Sequence, residues 1–74
     1  MNKHADTLLK RIATDPEVCH GAPCVRATRV HIDIILDALA AGETEEQILE
    51  DYPRLDRKDI AASLAYAARA FQPA

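Results

Sequence analysis

From Ile32 onward the apolar residues of this 74-residue chain take up a helical period. Ile32, Ile35, Leu36, Leu39 and Ala40 recur at i, i+3, i+4, i+7 and i+8, the stripe of one helix face. Ile34, Ala38 and Ala41 lie on much of the other side, and only Asp33 and Asp37 form a narrow polar strip. A helix apolar nearly all round is buried on several sides. That requirement governs the rest, because a chain of this length makes one domain at most and buries only ~60% of its unfolded surface. Covering the helix needs most of the remaining chain, or a second subunit. Aromatics are few (Tyr52, Tyr66 and Phe71), so the core is expected from Ile, Leu, Val and Ala.

The residues after this helix carry clear punctuation. Gly42 suits a helix stop. Thr44-Glu45-Glu46-Gln47 fits a capping box, with the Thr hydroxyl closing the helix start and Gln47 reaching back. Ile48, Leu49 and Tyr52 give this short acidic helix its apolar side, and Pro53 ends it. Asp56 is placed to cap a third helix, with Asp59 also near its positive end. Ile60, Leu64, Ala67 and Phe71 are its expected inward stripe, and Gln72-Pro73-Ala74 reads as a frayed end. Two capped helices joined by Pro53-Arg54-Leu55-Asp56, preceded by a buried helix, predict a tri-helical helix-turn-helix unit over residues 32–72.

The first third is patterned less clearly. Residues 1–10 read as a mobile arm. Leu8, Leu9 and Ile12 have helix-like spacing, but Asp15-Pro16 stops any helix, and Ile12 marks a short strand or a last helical turn. Val18-Cys19 and Cys24-Val25-Arg26 flank His20-Gly21-Ala22-Pro23, which has the length of a tight hairpin loop. Gly21 can take positive φ and Pro23 presets its own. Val25, Thr28 and Val30 favour extended backbone. A two- or three-stranded ribbon over residues 11–31 is the expectation, and it is unstable unless packed on helices or a second subunit.

Charge is divided along the chain. Residues 1–30 hold five basic and three acidic side chains, whereas residues 31–74 hold four basic and nine acidic. The net charge of −3 argues against a generally basic nucleic-acid binder. The division suggests two surfaces with different partners, or surfaces that attract each other in a dimer. With 49% apolar residues the chain is not disordered as a whole. No apolar run approaches the ~20 residues that span a bilayer. The N-terminus lacks the apolar core of a signal peptide, so a cytoplasmic location with reduced thiols is expected.

Chemistry-bearing residues concentrate in Cys19-His20-Gly21-Ala22-Pro23-Cys24-Val25-Arg26-Ala27-Thr28-Arg29-Val30. A structural zinc site wants four ligands, and only Cys19, His20 and Cys24 are local, so His4 or His31 would have to complete it. The plainer reading is two small apolar residues beside a turn, with no metal. A disulfide is geometrically possible but disfavoured by a reducing compartment. Cys19 and His20 are neighbours in sequence, which does not make a nucleophile and base, and no oxyanion device accompanies them. The chain is read as a non-enzyme without a cofactor.

The run from Asp15-Pro16 through Gly21-Ala22-Pro23 to Ala27-Thr28-Arg29-Val30 resembles the signature of the bacterial domain-of-unknown-function 433 family, roughly D-P-x-x-x-x-G-x-P-x-I-x-G-T-R-I. The likeness continues through Ile34-Ile35-Leu36-Asp37-Ala38-Leu39-Ala40-Ala41-Gly42, then Glu46-Gln47-Ile48-Leu49-Glu50-Asp51-Tyr52-Pro53, and Asp59-Ile60-Ala61-Ala62-Ser63-Leu64-Ala65-Tyr66-Ala67. It covers about residues 11–69. One departure stands out, since the family's glycine before Thr-Arg is Ala27 here. Members look like VapB-like antitoxins of type II toxin–antitoxin pairs, often encoded beside a PIN-like ribonuclease toxin. The resemblance implies neutralisation of such a toxin and allows autorepression of the operon. It also implies a mainly α fold, a short N-terminal β-ribbon followed by a three-helix homeodomain-like helix-turn-helix domain.

Within that frame Arg26 and Arg29 are the partner-binding candidates, able to meet phosphates or the acidic pocket of a PIN-like toxin by bidentate pairing. Their structural role would be to pin the ribbon. Arg29 is expected to pair with Asp15, Glu50 or Asp51, which leaves Arg26 as the exposed contact. Operator DNA would be met by Arg57, Lys58 and Arg69. The outer face between Lys58 and Arg69 is expected to hold Ala62, Ala65 and Tyr66, small for a recognition helix and suited to helix packing in a homodimer. The alternative function is a helix-turn-helix transcriptional regulator without a toxin.

Overall fold

The computed structural model describes residues 3–71. Helix α1 (Lys3–Leu9) leads through the turn bonds Lys10 N–H to Thr7 and Arg11 N–H to Leu8 into strand β1 (Ile12–Ala13). Then come helix α2 (Pro16–Cys19), strand β2 (Cys24–Val25), helix α3 (Ile32–Ala40), helix α4 (Glu45–Asp51) and helix α5 (Arg57–Ala70). The two strands pair antiparallel, Ile12 opposite Val25 and Ala13 opposite Cys24. His31 bridges back to Cys24. Among the described residues no helix is long and apolar enough to cross a membrane.

The expected three-helix homeodomain-like domain behind an N-terminal ribbon is therefore not what the chain adopts. Among the described residues, five helices and one two-residue strand pair form a single mainly helical body. Residues 3–9, read from the sequence as arm, are the helix α1 that packs along α5 and buries Leu8. Val18 and Cys19 belong to α2, so the strand opposite β2 is Ile12–Ala13. The physical reason lies in Asp15-Pro16. Here Asp15 is an N-cap, its Oδ1 accepting from the Glu17 N–H at 2.9 Å, and Pro16 opens the helix with a preset φ. A pair that ends one helix is equally able to begin another. The expectations for residues 1–2 and 72–74 lie outside the described residues.

The later helices start and stop where their chemistry demands. Gly42 takes φ 91°, and Glu43 N–H to Ala38 with Gly42 N–H to Leu39 closes α3 in a Schellman arrangement. Thr44 and Gln47 form the reciprocal box of α4, at 3.2 and 2.8 Å. Asp56 and Asp59 do the same for α5, with Asp59 N–H to Asp56 Oδ1 at 2.9 Å and Asp56 N–H to Asp59 Oδ2 at 3.0 Å.

The core joins Ile12, Val25, Ile32, Ile35, Ile48, Leu55 and Ile60, so it lies where β1 and β2 meet the three later helices. Ala13, Cys19 and Cys24 make a smaller cluster under α2. Within the single chain helix α3 is not covered all round, since Ile34 is 42% exposed, and the expected cover by a second subunit is not tested by one chain. The expected inward stripe of α5 is corrected. The inward face of α5 is Asp59, Ile60, Ala62 and Ser63, while Leu64 is 50% and Phe71 89% exposed. Two polar residues on the buried face shifted the apparent stripe. Asp59 is satisfied by the cap and by Arg11, and the Ser63 hydroxyl donates to the Asp59 carbonyl at 3.0 Å.

Candidate partner-binding site

The turn after β2 is closed by backbone bonds on both sides. Thr28 and Arg29 N–H both donate to the Val25 carbonyl, at 3.3 and 2.6 Å, and Val25 N–H donates to Val30 at 2.8 Å. Val30 N–H also reaches the Thr28 hydroxyl at 3.3 Å. Closing the turn so tightly forces Arg29 into the left-handed region at φ 62°. A non-glycine residue there costs about 1–2 kcal/mol. Ala27 has no positive φ, so the left-handed position of this turn falls two residues after the site where the family carries glycine.

Both arginines of the turn are exposed, but their internal bonding differs from the expectation. Arg26 donates from Nη2 to the Ile12 carbonyl at 3.2 Å and from Nε to the Lys10 carbonyl at 3.4 Å. Its own N–H donates to Arg11 at 2.8 Å. Arg26 thus ties the turn to the start of β1. Arg29 is exposed, and among the described residues its side chain has no hydrogen bond or ion pair, so the expected pairing with Asp15, Glu50 or Asp51 is absent. The Arg29 side chain therefore has no fold-internal partner among the described residues, on a backbone held in a strained conformation.

Cys19 and Cys24 are joined in a disulfide across His20-Gly21-Ala22-Pro23, with Cα atoms 5.9 Å apart and both residues buried. The sequence reading expects two reduced thiols here, and the paired form overturns it. The link holds α2 against β2 while His20 (φ 55°) and Gly21 (φ 88°) turn the chain. Among the described residues no three His, Cys, Asp or Glu stand together as a metal cage.

The DNA-contact candidates are dispersed. Arg69 pairs with Asp6 of α1 at 3.0 Å. Arg57 pairs with Glu45 at 3.2 Å and Glu46 at 2.8 Å, across the start of α4. Glu46 sits below its usual carboxylate range, because its own backbone N–H and then Arg57 favour the charged form. Lys58 is exposed and unpaired among the described residues. Arg57 and Lys58 line one side of an open cleft of about 470 Å³ with Arg11, Leu49 and Asp56. Ala62, placed by the sequence on the outer face with these cations, is fully buried.

Arg11 is the residue that sequence reasoning missed. Its Nη1 donates to both oxygens of Asp56 at 3.2 Å and to Asp59 Oδ1 at 3.0 Å, linking the α1–β1 turn to the α5 cap. The Asp59 bond, foremost, raises the Arg11 pKa above its ordinary value. At Asp56, loss of water raises the pKa, but the Asp59 N–H, Arg11 and the Lys58 N–H outweigh it and the net shift is downward. The legible signal was Asp56-x-x-Asp59, two carboxylates at one helix start that call for a cation. Nothing local says the cation lies 45 residues upstream.

No solved structure matches the chain. An uncharacterized protein, y4eO, of Sinorhizobium fredii (strain NBRC 101917 / NGR234) is 36% identical over 56 residues. The match takes in 76% of this chain and 25% of that protein, so the chain spans about a quarter of its relative's length. The family model described as protein of unknown function, DUF433, matches residues 12–67, from β1 through most of α5 and including the Arg29 turn, and the chain belongs to that family.

Proposed function

We propose that this chain is an antitoxin-like binding module that neutralises a PIN-like ribonuclease toxin, acts as a homodimer and autoregulates its operon. The observation that carries the reading is Arg29, exposed and unpaired among the described residues, on a turn whose backbone is locked by four hydrogen-bonding contacts. A guanidinium offers a planar fork that matches a carboxylate bidentately, and nuclease pockets of this kind are rich in carboxylates. Little conformational freedom is lost on binding, because the turn is already ordered. In this reading the chain is a binding protein and not an enzyme, and Arg26 positions the turn without touching the partner.

The test is co-expression with the product of the adjacent gene, which this reading expects to be a PIN-like ribonuclease. Rescue of growth and co-purification are expected, with both lost in Arg29→Glu and weakened in Arg29→Lys. If the two proteins neither co-purify nor restore growth, the reading fails. Autoregulation is read separately, by fluorescence anisotropy on the chain's own promoter at low and high salt, where binding should fall steeply as salt rises. A flat titration removes that half of the proposal.

A further inference from the structure

The outer side of α3 and the inner side of α4 enclose a groove of about 270 Å³. Ile34, Ala38 and Ala41 form one wall, and Ile48 and Tyr52 form the other. Ile34 is one of three large apolar residues in the described structure that stand exposed; the others, Leu64 and Phe71, are on α5. Three carboxylates, Asp37, Glu43 and Asp51, line the same groove. None of the three has a cation partner among the described residues, whereas Glu45 and Glu46, on the same helix as Asp51, are both held by Arg57.

We infer that this groove docks a basic amphipathic helical segment of a partner protein. The apolar walls take side chains at i, i+3 and i+4 spacing, and the rim takes Lys or Arg flanking them. Charge decides between this occupant and a second copy of the chain. A twofold pairing through the groove would set each rim carboxylate against the same carboxylate groups of its copy, an arrangement of like charges that opposes association. A cationic segment satisfies the rim and covers Ile34 in one step. The surface is separate from the Arg29 turn, so the inference stands or falls independently of toxin neutralisation.

The probe is a short synthetic Leu/Lys amphipathic helix, titrated into the full ¹⁵N-labelled chain, with a Leu/Glu peptide of the same pattern as control. Amide shifts confined to α3 and α4 around Ile34, Ala41 and Tyr52 are expected with Leu/Lys alone, weakening as salt rises. Asp37→Asn with Asp51→Asn should weaken binding about threefold to tenfold. Ile34→Ser, at an exposed position, should weaken it at least as much while leaving the far-UV circular dichroism spectrum intact. Equal binding of the Leu/Glu peptide, or shifts centred on Leu64 and Phe71, would overturn the inference. So would movement of the groove amides with protein concentration before any peptide is added, which would make the occupant a second copy.

Discussion

Replacing Arg11 by Met keeps most of the aliphatic stem and removes the charge that bridges two carboxylates. The Asp56 arm contributes little, since that side chain is 60% exposed and such pairs are worth about 0–1 kcal/mol. The Asp59 arm matters more. Its carboxylate is 7% exposed, and a hydrogen bond to a charged group out of water contributes about 1.5–3 kcal/mol. Arg11 itself is 37% exposed, so water takes over part of the lost interaction and about 1–2 kcal/mol is the reasoned cost. For a domain of this size that is a fall in Tm of roughly 4–16 °C.

Acid supplies the control. A carboxyl whose folded pKa is lowered contributes stability that is present above its unfolded value of about 3.9 and is lost as pH falls through the folded pKa. Asp56 is such a group, and Arg11 is among the causes. Without Arg11 its folded pKa moves back toward the unfolded one, so the gap between the native chain and Arg11→Met should narrow below about pH 4. Urea unfolding followed by circular dichroism, at neutral pH and in acid, measures both. A neutral-pH difference below about 0.3 kcal/mol, or one that does not change in acid, would refute the reasoning.

Arg29→Gly should stabilise the fold by about 0.5–1 kcal/mol, because relief of the left-handed strain exceeds the added freedom of the unfolded chain, while toxin binding is lost. Thermal unfolding and pull-down read the two effects, and a destabilised variant would show that the Arg29 side chain packs. Reducing Cys19–Cys24 should cost about 2 kcal/mol, given a sequence separation of 5 between the linked residues. Calorimetry with and without reductant, with Cys24→Ser insensitive to the reductant, measures it. Ile60→Ala should destabilise by about 2–5 kcal/mol and Leu64→Ala by under about 1, which tests the face of α5 that packs inward. Equal losses in urea unfolding would restore the stripe that runs through Leu64.

What could be read from the residues alone is what local chemistry decides. Thr44 with Gln47, Asp56 as a cap, and Gly42 as a stop all act within one helical turn, and each does what its type predicts. What was hidden depends on distant pairing. The helix α1 is held by Leu8 burial and by the ion pair from Asp6 to Arg69, both contacts with residues far along the chain. Asp59 and Ser63 occupy core positions because remote or backbone partners satisfy them, and a pattern of apolar letters assigns them outward. At the site, the internal bonding of Arg26 and Arg29 differs from the expectation for a related reason. Which arginine of a turn is free depends on which carbonyls the turn leaves within reach, and the closure onto Val25 decides that.

The charge division acquires a sharper meaning from the pairs. In the C-terminal part, Arg57 and Arg69 are spent on Glu45, Glu46 and Asp6, and the carboxylates of Asp56 and Asp59 draw Arg11 from the N-terminal part. Asp33, Asp37, Glu43, Glu50 and Asp51 are left without a cation partner among the described residues, all on α3, α4 or the link between them. Arg29 is left equally unpaired on the turn after β2. The pairs thus neutralise part of the α4–α5 junction, where Arg54 and Lys58 stay without an ion pair among the described residues, and they leave the remaining carboxylates of α3 and α4 and the Arg29 guanidinium to solvent. On the readings proposed above, Arg29 would meet a carboxylate-rich partner and the groove between α3 and α4 a basic one, so the two charge signs would serve different contacts.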